Sequence, residues 1–123
     1  MGKYTITVSP KGKYHFNLAA GNGEIILTSQ MYAAKNGAVK GIESVAANAP
    51  EAPVVDTTSD KAQPSGNPKF EIYLDKANEY RFRLIAKNGK PIGASEGYAD
   101  IKGCKAGITS VKKNAGSKIA EEK

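Results

Sequence analysis

The sequence predicts an α+β fold in which two copies of a strand-strand-strand-helix unit share one antiparallel sheet, with both helices on one face. The first observation behind this is duplication. Residues 80–115 repeat residues 14–49 without a gap at an offset of 66, with Tyr14/Tyr80, Phe16/Phe82, Leu18/Leu84, Ile26/Ile92, Tyr32/Tyr98 and Ile42/Ile108 among the identical pairs. The second is apolar alternation with period two before the shared Asn-Gly pair of each copy, which suits half-buried strands. The third is an apolar stripe with the 3.6-residue period of a helix in the tail of each copy.

Residues 3–8 (Lys-Tyr-Thr-Ile-Thr-Val) alternate as a first strand, and Ser9-Pro10-Lys11-Gly12 turns it. Residues 14–18 form a second strand with Tyr14, Phe16 and Leu18 on one face and His15 and Asn17 on the other. Gly21-Asn22-Gly23 then leads to a third strand, as Lys87-Asn88-Gly89 does in copy two. A two-residue Asn-Gly loop would turn Ile26 and Ile92, which the copies share, to the outer face. A three-residue loop with Gly23 or Gly89 left-handed pairs Leu18 with Ile26 and Leu84 with Ile92 and keeps both isoleucines inside. This second hairpin is expected, with Ile25, Leu27, Pro91 and Gly93 outward.

The helix of copy two is read from Ile101, Cys104, Ile108 and Val111, with Asp100 as its N-cap, and that of copy one from Ala38, Ile42, Val45 and Ala49, with no comparable cap. Each carries two glycines four apart, Gly37/Gly41 and Gly103/Gly107. A helical glycine costs up to ~1 kcal/mol against alanine, so recurrence in both copies points to close helix-sheet contact. Lys112 and Lys113 suit the negative end of the second helix dipole. Val54-Val55 and Ile119 mark a short fourth strand after each helix. The chain is thus read as one pseudo-symmetric domain, 1–123, comprising repeat one at 1–56, a linker at 57–66 and repeat two at 67–123.

Each copy has roughly 50 residues, a size at which an independent core is marginal, so the two are expected to share one. The chain is 40% hydrophobic and 24% charged, a globular balance, with no apolar run near the ~20 residues that span a bilayer. A cytoplasmic location, no membrane association and a monomer containing an internal pseudo-dimer are expected. Cys104 and His15 are each the sole residue of their kind, which excludes an internal disulfide and leaves no ligand-spaced cluster for a metal. The net charge of +6 favours solubility and weak attraction to polyanions.

The residues 14–18 alternation, Asn22-Gly23, Ser29 through Ala33, Gly41-Ile42-Glu43-Ser44-Val45 and Asn48-Ala49, written twice, resemble the YegP-like family of bacterial domains of unknown function. The resemblance covers both copies. It implies a β-β-β-α-β unit, two of which build one sheet with exchanged last strands, here Val54-Val55 and Ile119. It implies no catalytic motif. Copy one departs from the pattern at Ala34, where a capping residue is expected, and copy two has Gly116 where copy one has Pro50.

No catalytic residue, metal site or cofactor site is assigned. Cys104 lies on the apolar stripe, where a buried inert thiol is expected rather than a nucleophile served by His15. Gly21-Asn22-Gly23 lacks the Gly-Lys-Ser/Thr continuation of a phosphate loop. Tyr32 and Tyr98 precede the helices, where packing is expected over lining a pocket. The candidate binding surface is the helix-free sheet face, which receives His15, Asn17, Tyr73, Arg81 and Arg83 along with Ile25, Leu27 and Ile85. The leading expectation is a non-enzymatic binding or structural module contacting an unidentified protein partner. Weak binding of single-stranded nucleic acid to the same face is the alternative, and a small-molecule site or unrecognised enzyme the third.

Overall fold

The alternating stretches form strands and the striped tails form helices in a computed structural model that describes residues 2–58, 66 and 68–120. In chain order the elements are β1 (Lys3–Val8), β2 (Tyr14–Ala19), β3 (Ile25–Ser29), α1 (Lys35–Asn48), a 3-10 turn (Ala49–Glu51), β4 (Val54–Asp56), β5 (Lys69–Leu74), β6 (Tyr80–Ile85), β7 (Pro91–Ala94), α2 (Ile101–Asn114) and β8 (Ile119–Ala120). All eight strands join one sheet in the order β4-β5-β6-β7-β3-β2-β1-β8. The last strands are exchanged. The strand after α1 pairs with β5 of copy two, and the strand after α2 pairs with β1 of copy one. Both of these edge pairings are parallel, whereas the six inner strands are antiparallel, so the sheet is mixed only at its rims. Of the expected linker, residues 59–65 lie outside the described residues.

The copies meet where β3 pairs with β7, and there Thr28 lies opposite Ala94, its own counterpart at the offset of 66. An antiparallel pair of equivalent residues places the pseudo-two-fold axis between them. One core forms on the helix side. Tyr4, Phe16 and Tyr32 build an aromatic cluster in copy one, with Tyr4 edge-on to Phe16 at 5.8 Å and Tyr32 stacked on it at 6.3 Å. Phe70, Phe82 and Tyr98 repeat that arrangement at 5.8 and 6.3 Å. Such geometries add to the burial of the rings themselves.

The polar residues that the copies share are explained by the backbone. Ser29 Oγ accepts from the Phe16 N–H at 2.8 Å and donates to the Gln30 carbonyl at 2.8 Å. Ser95 does the same for Phe82 at 3.0 Å and for Glu96 at 2.8 Å. Asn48 and Asn114 donate to the carbonyls of Ser44 and Ser110, each at 2.8 Å, satisfying acceptors near the helix ends. Asp100 caps α2 by accepting from the Gly103 N–H at 2.8 Å, while Ala34 at the start of α1 offers no side-chain cap.

One register differs from expectation. Gly23 and Gly89 are left-handed, with φ of 89° and 87°, and Gly23 donates its N–H to Ala20, as a three-residue loop requires. Leu18, however, pairs with Leu27 rather than Ile26, and Leu84 with Gly93 rather than Ile92. A bulge at Ile26 and at Ile92 inserts one extra residue after the loop. Ile26 and Leu27 consequently both enter the core, so Leu27 is not on the outer face. The gain is the burial of a second large side chain, worth ~1.5–3 kcal/mol. Gly93 is likewise not outward. A Cβ there would lie 2.7 Å from the Thr28 carbonyl and 3.2 Å from Leu27 Cγ, so the glycine leaves the space that Leu27 fills beside the axis.

Candidate functional site

The outer face of the sheet can be read as a row across the strands. From one rim to the other the registers align Glu71, Arg83, Ala94, Thr28, Asn17 and Thr5. The duplication makes these residues counterparts in pairs: Asn17 with Arg83, Thr5 with Glu71, and in the neighbouring row His15 with Arg81 and Thr7 with Tyr73. None of these pairs is identical, although the core-facing neighbours Phe16/Phe82 and Leu18/Leu84 are. One half of the face is neutral and polar, and the other is charged.

In the charged half, Tyr73 pairs with Arg81 across β5 and β6. The Arg83 guanidinium lies 4.1 Å from the Tyr73 ring centroid, a cation–π stack. Its Nε is 3.2 Å from Glu71 Oε1 but misaligned for a hydrogen bond, and that buried nitrogen has no other partner among the described residues. Arg81 is more firmly committed. Its Nε donates to Asp75 at 2.5 Å and its Nη1 to the Ser95 carbonyl at 3.2 Å. Hydrogen bonding to Arg81 holds the Asp75 carboxyl below the usual carboxylate range, helped by the N–H groups of Glu79 and Ala77. Lys69 also approaches Glu71, at 3.7 Å.

Beside the Arg83–Tyr73 stack lies a depression of about 200 Å³ at the pseudo-axis, bordered by Thr28, Gln30, Pro91 and Gly93. It exists because β7 presents only the methyl group of Ala94 on this face, between the longer side chains of β6 and β3. The sequence places His15 and Asn17 on the same face, and the structure agrees. They do not converge with the arginines, however. Two strands separate β2 from β6, so Asn17 stands ~14 Å from Arg83 at the usual strand spacing. Asn17 accepts from the Thr28 hydroxyl at 2.8 Å, and the half-buried His15 has an Nδ1 without a hydrogen-bond partner among the described residues.

Ile85 and Leu27, expected to add apolar area to this face, do not. Leu27 is in the core, and Ile85, flanked across the strands by Lys69 and Pro91, is only 7% exposed. Ile25 alone of the three is exposed. The partners Glu71 and Asp75 were not recognised in the sequence; β5–β6 register is the signal that would have found Glu71 opposite Arg83. Cys104 is fully buried on the helix side, where burial pushes its thiol up to about 11, and His15 is on the opposite face of the sheet. No group of three or more His, Cys, Asp or Glu able to hold a metal occurs among the described residues, and no helix there is long and apolar enough to cross a membrane.

The family profile described as domain of unknown function (DUF1508) matches this chain twice, at residues 9–56 and 75–121. The chain is 40% identical over 122 residues to the UPF0339 protein YegP of Yersinia pestis, covering 99% of this chain and 96% of that protein. It is 33% identical over 121 residues to YegP of Escherichia coli K12, covering 98% and 96%. The solution NMR structure of the Escherichia coli protein, described as of unknown function, superposes with a TM-score of 0.78 at 32% identity, covering 98% of this chain and 92% of that one. That of a UPF0339 protein from Shewanella oneidensis gives 0.76 at 32% identity, covering 98% and 90%.

Proposed function

For this chain, which belongs to the DUF1508 family of bacterial YegP-like proteins of unknown function, we propose a non-enzymatic role as a binding module whose helix-free sheet face docks an acidic segment of a partner protein. The observation that carries the reading is the Arg83 guanidinium, stacked on Tyr73 and bordering the depression at the pseudo-axis with an Nε that no acceptor fully satisfies. Stacking pre-orders the planar fork, so less side-chain entropy is lost when a carboxylate binds it. Arginine and tyrosine are also the side chains that dominate interface energetics. The small side chains of β7 let a partner's backbone approach the sheet, while Thr28 and Gln30 supply neutral polar contacts at the far wall.

Single-stranded nucleic acid fits the same surface less well. Of the three cations on the charged half, Arg81 is tied to Asp75 and a carbonyl, and Lys69 and Arg83 share Glu71. A phosphate backbone, which gains affinity from several cations at once, would have to displace both Asp75 and Glu71, whereas a single side-chain carboxylate needs only the Arg83 fork. The two readings separate in one experiment, in which tagged wild type, Arg83→Glu and Tyr73→Ala are used as bait in lysate, with and without nuclease. The reading is supported by a protein that wild type retains after nuclease and both variants lose. Capture that disappears with nuclease would transfer the face to nucleic acid, and equal capture by all three baits would remove it from consideration.

A further inference from the structure

The pseudo-two-fold axis creates two related clefts, each between the hairpin turn of one copy and the pre-helix tyrosine of the other, and one of them is also bordered by a helix. One is bordered by Tyr98 of copy two and by Glu24, Ile25 and Ile26 of copy one, together with Glu96, and has a volume of about 400 Å³. The other is bordered by Tyr32 and Ser44 of copy one and by Asn88, Lys90, Pro91 and Ile92 of copy two, and has a volume of about 210 Å³. Tyr32 and Tyr98 are counterparts, as are Ile26 and Ile92. The charges are opposite. Lys90 stands where the first cleft has Glu24, and the counterpart of Glu96 is Gln30.

That reversal changes what the shared asparagine can do. In both turns the amide oxygen accepts the N–H two residues on, from Glu24 at 3.0 Å for Asn22 and from Lys90 at 2.9 Å for Asn88. Asn22 then spends its Nδ2 on the Glu24 carboxylate at 3.3 Å. The Lys90 side chain has no acceptor to offer, so among the described residues the Asn88 Nδ2 keeps its donors. Ser44 Oγ accepts from Asn48 at 3.0 Å, which leaves the hydroxyl hydrogen to donate. Burial raises the Tyr32 phenol above its ordinary value, so it too carries a proton at neutral pH. Among the described residues no carboxylate borders this cleft, and Glu43, although next to Ser44 in α1, is not part of its lining.

We propose that the Tyr32–Lys90 cleft binds the carboxylate of a small organic acid. The Lys90 ammonium, Asn88 Nδ2, Tyr32 Oη and Ser44 Oγ are the donors, and Pro91, Ile92 and Ala86 form an apolar wall for the hydrocarbon body. A charge-assisted contact supported by neutral donors beside apolar surface favours a carboxylate with a compact apolar group over a fully hydrated inorganic anion. The Tyr98 cleft is the built-in control, because the same fold there presents Glu24 and Glu96 and repels the ligand.

The test is a titration of 15N-labelled full-length protein with sodium benzoate and, separately, inorganic phosphate, followed by amide shifts. Benzoate should give saturable shifts at Tyr32, Ser44, Asn88 and Lys90 and none at Glu24 or Glu96. Lys90→Glu, at an exposed position that keeps the fold, should weaken binding about ten- to hundredfold. Glu24→Lys combined with Glu96→Gln should add saturable shifts around Tyr98. Absence of saturable shifts in wild type, undiminished binding by Lys90→Glu, or phosphate binding as tightly as benzoate would each overturn the assignment.

Discussion

Replacing Gly107 by alanine sets two effects of opposite sign against each other, and the geometry decides between them. Helix propensity favours alanine by ~1 kcal/mol at an interior position. A Cβ on Gly107 would, however, lie 2.9 Å from Tyr98 Cζ and 3.1 Å from Phe82 Cε2, and closer still to the Tyr98 hydroxyl. Phe82 is fully buried and stacked on Tyr98, so neither ring moves without disturbing the aromatic cluster. Overpacking of this kind costs ~1–3 kcal/mol, which leaves a net loss of ~1 kcal/mol, or roughly 4 °C in Tm for a chain of this size. Gly41→Ala should lose more, because Phe16 Cε2 is nearer, at 2.8 Å. Gly116→Ala is the control: apart from its chain neighbours no atom of the described residues lies within 4 Å of its Cβ, and its φ is not left-handed, so it should gain ~0.4–1 kcal/mol. Thermal melts of the three variants by circular dichroism test the reasoning. A higher Tm for Gly107→Ala than for wild type would show that propensity outweighs contact and would refute the account of the shared glycines.

Tyr4→Phe removes the buried hydrogen bond from Tyr4 Oη to the Ala115 carbonyl, 2.6 Å, which ties the first strand of copy one to the end of the helix of copy two. Leaving that carbonyl unsatisfied should cost ~1–3 kcal/mol, read as a lower urea midpoint at constant m-value. Asp100→Ala should cost ~1 kcal/mol by uncapping α2, and Ala34→Asp should recover a similar amount at α1, where the backbone is already extended with φ −141° and ψ 155°. Both are measured by urea unfolding. Asp75 has a folded-state pKa below its unfolded value, so its contribution to stability is present above the unfolded value and is lost as pH falls through the folded one. Carboxyl-detected NMR titration should place its midpoint below that of an ordinary aspartate in wild type and return it upward in Arg81→Ala; an unchanged midpoint would break the assignment of Arg81 as the cause.

The duplicated text by itself determined the strand and helix positions, the shared core, the capping role of Asp100 and the close approach at Gly41 and Gly107, because these follow from local periodicity and from residue types that only one backbone environment rewards. The resemblance it carried also led to the exchanged last strands. Parity alone assigns His15, Asn17, Tyr73, Arg81 and Arg83 to the helix-free face, since alternate side chains of a strand must point to opposite sides. Tertiary structure decided the rest. The bulge at Ile26 buries Leu27 as a second large residue next to the axis, and the matching bulge at Ile92 turns Gly93 inward to leave it room; no local pattern shows where that space lies. Whether Arg81 and Arg83 are free or paired depended on which strands become neighbours. The opposite charges of the Tyr32 and Tyr98 clefts emerge only when the hairpin of one copy is laid against the pre-helix tyrosine of the other, since each cleft is made from residues about 40–75 positions apart that the fold, not the chain, brings together.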